Sequence, residues 1–270
     1  MPEGDTVWRT ARHLDRALSG KVLAETDFRV PALATVDLAG RPVERTLSRG
    51  KHLLTRVGSE HTLHTHLLME GAWHLYRPGS RWRRPAHEAR VVLRTEDWTA
   101  VGFALGIVEL LSRAGEEQAV GHLGPDLLAP DWDEQEAVRR LLGDPARPIG
   151  AALLDQRNLA GIGNLYKSEL CFLAGIDPGR PVGEVPDLPR LVRRAKQLLE
   201  ANKERVEQVT TGDLRKGRHT WVYRREGQPC LRCGTTVRVR MDGDDGAAAG
   251  VGGETGRERA SYWCPTCQLA

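Results

Sequence analysis

Cys230-Leu231-Arg232-Cys233 and Cys264-Pro265-Thr266-Cys267 are separated by thirty residues near the end of a 270-residue chain. Each C-x-x-C pair puts two thiols on one tight turn. Two such turns offer four soft ligands in a closed tetrahedral shell, the coordination that suits Zn2+. The intervening runs Thr235–Met241 and Ala260–Trp263 have strand character, so the spacing predicts a two-stranded zinc ribbon. A tail of about 40 residues buries little apolar surface, and a metal contributes the missing stability. With four protein ligands no position is left for water, so the single predicted Zn2+ is structural. Redox C-x-x-C chemistry is the weaker reading, because the thioredoxin-like strand–helix setting is missing. Gly243–Gly253 is a Gly/Ala-rich insertion that stretches the ribbon and reads as a mobile loop. The fifth cysteine, Cys171, lies between Leu170 and Phe172 and reads as core.

Before the ribbon the chain is helical. Asp133–Leu142, Ile149–Leu154 and Asn164–Ala174 read as helices, the last stopped by Gly175 and Pro178. Leu188, Leu191, Val192, Ala195, Leu198, Leu199 and Val206 keep one face of a longer helix apolar. The first half differs. Val7, Ala11, Leu14 and Leu18 predict an opening helix with Asp5 as N-cap and Gly20 just past its end. Short runs at Thr35–Leu38, His52–Val57, His61–Leu68, Ala89–Leu93 and Ala100–Phe103 then predict a meander folded into a sandwich or barrel. Residues 109–130 read as a helix and a connector. At about 150 residues per domain the length suggests roughly two domains.

Composition sets limits. A hydrophobic fraction of 40% can fill a core, which excludes wholesale disorder. The charge-free stretch around Thr99–Val108 is about half of the ~20 apolar residues that a membrane helix needs, so no membrane association is expected. The opening Met1-Pro2-Glu3-Gly4-Asp5 has no apolar run, which predicts no secretory signal and a reducing cytoplasm. The net charge of +3 hides a strong asymmetry: residues 109–136 carry eight acids and one base, and residues 190–225 carry eleven bases and four acids. A basic face of that kind fits a polyanion, although a solvated helix gives the same count. His61, His64 and His66 invite a metal reading, yet strand alternation alone accounts for them.

Removal of Met1 would leave Pro2 as a secondary terminal amine. A terminal amine titrates near 7.7–8.0 against about 10.4 for lysine, so at neutral pH it is several-hundred-fold richer in its nucleophilic form. Condensed with an aldehyde-level carbon it becomes an iminium, an electron sink that acidifies the neighbouring carbon. Glu3 beside it is suited to proton transfer. A Pro-Glu opening alone is also compatible with an ordinary cytoplasmic chain start.

Pro2-Glu3-Gly4, Ser48-Arg49-Gly50-Lys51-His52-Leu53, His66…Met69…Gly71, Leu154-Asp155-Gln156…Gly161-Ile162-Gly163-Asn164-Leu165-Tyr166 and Cys230…Cys233…Arg259-Ala260…Cys264…Cys267 follow one another along the chain. In that order they resemble the formamidopyrimidine-DNA glycosylase / endonuclease VIII family. The resemblance implies an α+β multidomain fold: a catalytic helix plus β-sandwich (1–130), a helix–two-turn–helix DNA-binding domain (131–222) and a zinc finger (223–270). It implies a bifunctional base-excision enzyme, acting as a monomer on damaged DNA, duplex or single-stranded and bubble, in the cytoplasm at the nucleoid. By the family's pattern Pro2 attacks C1′ of the damaged nucleotide, Glu3 moves protons and Lys51 contacts a phosphate near the lesion. Met69 fills the space of the flipped nucleotide, and Asn164 and Arg259 grip phosphates around it.

The chain departs from that pattern in two places. Where the family often has a second Pro-Glu pair this chain has Asp5-Thr6. The Arg-Arg-Phe-Gly loop of the formamidopyrimidine branch is replaced by Ala104-Leu105-Gly106-Ile107-Val108. The loss of that loop, with the Pro2-Glu3-Gly4 start, points to the endonuclease VIII branch and to oxidised pyrimidines. The alternatives are a glycosylase for oxidised purines and a non-catalytic zinc-ribbon protein that binds nucleic acid on the same scaffold.

Overall fold

One amphipathic helix and two antiparallel sheets make up the first half of the chain. The computed structural model describes residues 2–241 and 260–269 in two compact units, Met1–His122 and Leu123–Ala270. Helix α1 (Gly4–Leu18) buries Val7, Ala11, Leu14 and Leu18, one stripe at helical spacing. Its N-cap is Glu3, not Asp5, which sits buried in the first turn. The eight strands are β1 (Glu25–Phe28), β2 (Val43–Arg49), β3 (His52–Val57), β4 (His61–His66), β5 (Ala72–Tyr76), β6 (Ala89–Arg94), β7 (Thr99–Phe103) and β8 (Ile107–Ser112). They form two sheets, β1-β6-β7-β5 and β2-β3-β4-β8. Leu53, Leu63, Val91 and Leu93 from both sheets join the α1 stripe in one apolar core. Asp15 of α1 also accepts a hydrogen bond from Thr46 N (2.7 Å), which occupies a backbone donor on the edge strand β2. A short helix, α2 (Gly115–Val120), closes this unit; Arg56 on β3 donates twice to its Glu116, at 3.0 and 2.7 Å.

The predicted strand Thr35–Leu38 does not form. Leu38 is buried, but local partners take the backbone donors here: Val36 N bonds Leu33 O, and Leu38 N bonds the Thr26 hydroxyl at 3.0 Å. Strands β1, β2, β5 and β8 escaped the sequence reading. Edge strands such as β2, whose sequence is Val-Glu-Arg-Thr-Leu-Ser-Arg, carry charge on a half-exposed face and lose the apolar alternation.

The second unit holds α3 (Glu134–Leu141), α4 (Ile149–Leu154), α5 (Asn164–Ala174), α6 (Leu188–Asn202) and the hairpin strands β9 (Arg238–Met241) and β10 (Ala260–Trp263). Asp133 and Asp187 cap α3 and α6 by accepting from backbone N–H groups three residues on. Leu188, Leu191, Val192, Ala195 and Leu199 form the buried face of α6. The helix stops at Asn202, so Val206 lies beyond it and is 84% exposed, contrary to the predicted stripe. Strands β9 and β10 pair antiparallel, Ala260 opposite Met241 and Trp263 opposite Arg238. No helix among the described residues is long and apolar enough to cross a membrane.

Candidate functional site

Pro2 and Glu3 lead directly into α1. Pro2 is half-buried; Glu3 is extended, its carbonyl accepts from Val7 N at 3.0 Å, and its side chain is fully buried. A side chain at this position lies at the positive end of the helix dipole.

Lys51 lies in the turn between β2 and β3. Gly50 just before it has φ +57°, a left-handed conformation that glycine takes without strain. The sheet register sets His52 opposite His66 and His66 opposite Ile107. The Lys51 turn, the β4–β5 turn (residues 67–71) and the start of β8 therefore share one end of this sheet. Lys51 is buried there beside His66.

Three histidines line this end. His52 Nδ1 and His64 Nε2 are 2.8 Å apart, and His64 Nδ1 is 3.0 Å from Glu109 Oε2. An ionised Glu109 can only accept, so His64 carries its proton on Nδ1 and accepts from His52 Nδ1–H. Burial, then the neighbouring His66, His64, His122 and Lys51, push His52 down to about 2. Burial, then Lys51 and His64, bring His66 to about 4. At neutral pH both are uncharged hydrogen-bonding groups. His61 is three residues from His64, hence on the opposite face of β4, and it approaches Glu60 instead. These histidines form no metal cluster among the described residues.

Met69 occupies the β4–β5 turn and is 36% exposed. A core role is thereby excluded. An apolar side chain at the tip of a tight turn is available to a partner.

In the second unit Asn164 is the first residue of α5, behind Gly163. Gly161 takes φ +112°, which only glycine adopts readily. Gln156 shapes this turn: its amide donates to Leu154 O (2.8 Å) and Ile162 O (2.9 Å) and accepts from Gly161 N (3.0 Å). The buried Asn164 Oδ1 has no hydrogen-bond partner. Such an atom is rare in a folded protein. Arg259 lies outside the described residues, as does the Gly243–Gly253 insertion.

The four hairpin cysteines converge. Their sulfurs lie within 4.8 Å of one another, with Cys230–Cys267 at 4.0 Å and Cys233–Cys264 at 3.5 Å. A tetrahedral ion with bonds of about 2.3 Å to sulfur sets its ligands roughly 3.8 Å apart, so the donor set fits Zn2+. Each pair sits on a tight turn: Gly234 N bonds Cys230 O at 2.9 Å and Gln268 N bonds Cys264 O at 3.0 Å. Burial and the neighbouring thiols push Cys267 up to about 12, while bonds from Thr235 draw Cys233 down to about 6. A divalent cation lets four such thiols ionise together.

Sequence reasoning missed the polar interior of α5. Lys167, Ser168 and Glu169 are fully buried. The Glu169 carboxylate accepts from Trp221 N (2.8 Å), Val222 N (2.9 Å), Tyr223 N (2.9 Å) and the Thr210 hydroxyl. Lys167 Nζ donates to Ser261 Oγ at 2.8 Å. A charged pair inside an otherwise apolar helix was the available signal. The basic run 190–225 is only partly free to meet a polyanion: Arg193 pairs with Glu134, Arg215 and Arg218 with Asp213, and Arg225 holds Gly217 O and Pro229 O.

Residues 1–104 match the family described as the formamidopyrimidine-DNA glycosylase N-terminal domain, and residues 123–212 match the formamidopyrimidine-DNA glycosylase H2TH domain. The chain is 56% identical to the probable endonuclease 8 2 of Streptomyces coelicolor, over 99% of this chain and 94% of that protein. The chain belongs to the formamidopyrimidine-DNA glycosylase / endonuclease VIII family, on the endonuclease VIII-like branch. It is also 48% identical to the DNA-(apurinic or apyrimidinic site) lyase Nei2 of Mycolicibacterium smegmatis, across all of both chains. A solved structure of MutM in complex with carbocyclic 8-oxo-G-containing DNA superposes with a TM-score of 0.79 at 22% identity, covering both chains fully, and shows that the fold is shared. The α+β fold that the sequence implied is borne out, with the cysteine hairpin in the place of the family's zinc ribbon.

Proposed function

We propose that the chain is a bifunctional DNA glycosylase and abasic-site lyase of base excision repair that favours oxidised pyrimidines. The observation that carries this reading is the Pro2-Glu3 pair at the head of α1, with a wholly buried carboxyl, in a chain nearly half identical from end to end to a DNA-(apurinic or apyrimidinic site) lyase. After loss of Met1, the Pro2 nitrogen attacks C1′ of the damaged nucleotide, the C1′–base bond breaks and the base leaves with a proton. The C1′–O4′ bond then opens, O4′ taking a proton, and the resulting iminium draws electrons from C2′, whose proton is lost. The 3′ phosphate then departs by β-elimination and the 5′ phosphate by δ-elimination. Glu3 moves protons in base release and ring opening. Lys51 binds a phosphate beside the lesion.

Attack at C1′ requires extruding the nucleotide from the stack, and Met69 fills the gap. Rotation of the Asn164 side-chain amide presents its NH2 to a phosphate, next to the backbone N–H groups that open α5. Arg259 contributes a further phosphate contact. Residues 1–130 carry the chemistry, 131–222 grip the backbone and 223–270 form the finger. Cys230, Cys233, Cys264 and Cys267 hold one structural Zn2+, and no reaction step depends on it. The enzyme works as a monomer on DNA in the cytoplasm.

The absence of the Arg-Arg-Phe-Gly loop supports the pyrimidine preference. In its place β7 turns into β8 through only Ala104, Leu105 and Gly106. Cleavage of duplexes that carry thymine glycol or 8-oxoguanine tests this reading. The expected result is faster nicking at thymine glycol, leaving phosphate on both new ends. Faster nicking at 8-oxoguanine would make it a purine enzyme, and binding without nicking would make it a non-catalytic nucleic-acid-binding protein.

A further inference from the structure

The two residues on either side of Met69 each have a backbone group held by a side chain from outside the turn. On the N-terminal side, Leu68 N donates to His66 Nδ1 at 3.0 Å. On the C-terminal side, Glu70 O accepts from Arg84 Nη1 at 2.9 Å. Arg84 is itself fixed: its Nε donates to Glu88 Oε2 at 2.7 Å, and its guanidinium lies 5.6 Å from the centre of the Phe103 ring. The turn needs holding. Leu68 has φ +49°, an uncommon conformation for a residue with a side chain, and one that persists only when its surroundings enforce it. Its side chain fills the space over Gly106, where an added Cβ would come within 2.1 Å of Leu68 Cδ1. Gly106 N in turn donates to His66 O at 3.0 Å.

We propose that His66 and Arg84 are positioning residues that hold the Met69 turn in the shape that enters the DNA stack, each by occupying one backbone group beside Met69. This rests on the reading of Met69 as the residue that fills the void. Neither side chain needs to touch the reacting atoms. A preformed tip avoids the ordering cost that a loose turn pays on insertion. The tautomer follows from the geometry. Because Nδ1 accepts from Leu68 N, neutral His66 carries its proton on Nε2. Asparagine can present its amide oxygen where Nδ1 stands, whereas leucine fills similar space with no acceptor.

The test uses the full-length zinc-loaded chain and the variants H66L, H66N, R84A and M69A. Each is assayed on a thymine-glycol duplex and on a single-stranded abasic oligonucleotide, which has no stack to enter. A 2-aminopurine next to the lesion reports unstacking. Loss of one hydrogen bond of ordinary strength predicts that H66L and R84A each lower the duplex to single-strand cleavage ratio by roughly 5- to 10-fold. The 2-aminopurine signal falls in step, and H66N restores most of both. In the M69A background H66L adds no further loss, because the two act through one tip. Equal losses on both substrates, or failure of H66N to rescue, would overturn the positioning role. Full additivity of H66L with an impaired M69A would overturn it while leaving Met69 as the inserting residue. An M69A enzyme with the wild-type ratio and 2-aminopurine signal would remove the Met69 reading and this inference together.

Discussion

Helices α1 and α5 each organise one unit, yet only α5 buries charged side chains along its middle. Helix α1 buries an apolar stripe of Val7, Ala11, Leu14 and Leu18 against two sheets. Helix α5 is enclosed on every side and buries Lys167, Ser168 and Glu169 along with Leu165, Tyr166 and Phe172. The first arrangement is driven by removal of apolar area from water and tolerates small changes in geometry. The second works only if each buried donor and acceptor finds its partner. Glu169 organises residues 210–223 and Lys167 reaches the hairpin at Ser261, so the second unit depends on polar matching and on a metal-fitting cluster of thiols.

Removal of metal should produce the largest difference between the units. Structural zinc sites in small modules are worth on the order of 10 kcal/mol of binding free energy. A strong chelator, or C264S, should abolish the thermal transition of the hairpin and leave that of the sandwich unit nearly unchanged, as calorimetry can resolve. Elemental analysis should find about one zinc per chain. A coincident collapse of both transitions would erase the distinction between the units.

Glu169→Ala should come next. It strands the backbone N–H groups of Trp221, Val222 and Tyr223, and unsatisfied buried donors cost about 1–3 kcal/mol each. The expected loss of roughly 3 kcal/mol or more should appear as a lower midpoint for the second unit in urea. Glu169→Gln, which keeps an acceptor oxygen, should recover part of it.

In the first unit acid should act more gently. The folded protein holds His66 at about 4 and His52 at about 2, both below the ordinary histidine value of 6.5. Above 6.5 neither state binds these protons. As pH falls through 6.5 towards 4, the unfolded chain takes up protons that the folded chain refuses, so stability declines across that window. Thermal melts of the sandwich unit from pH 7.5 to 4.5 should show the decline, and H66N should flatten it.

How much was legible in the sequence follows the same division. The α1 stripe, the α4 and α5 limits and the cysteine hairpin were all readable, because periodicity, a stop such as Gly175 and ligand spacing are local signals. Thr35–Leu38 misled because a buried Leu38 resembles a strand residue, although side chains and turns take its backbone bonds. Pairings across the chain, such as Arg84 with Glu70 O, His64 with Glu109 and Glu169 with residues 221–223, leave no local mark. Met69 was legible as a candidate only through its position in the His66…Met69…Gly71 pattern; that it stands on a turn came from where β4 ends and β5 begins.

The central claim is that the Pro2 nitrogen is the nucleophile. Borohydride reduction of the wild-type enzyme on an abasic duplex, followed by peptide mapping of the covalent adduct by mass spectrometry, tests it most directly. The account predicts a chain that begins at Pro2, with the reduced sugar on that residue's nitrogen. An adduct on Lys51 or another lysine, or strand cleavage by protein that still carries Met1, would contradict it.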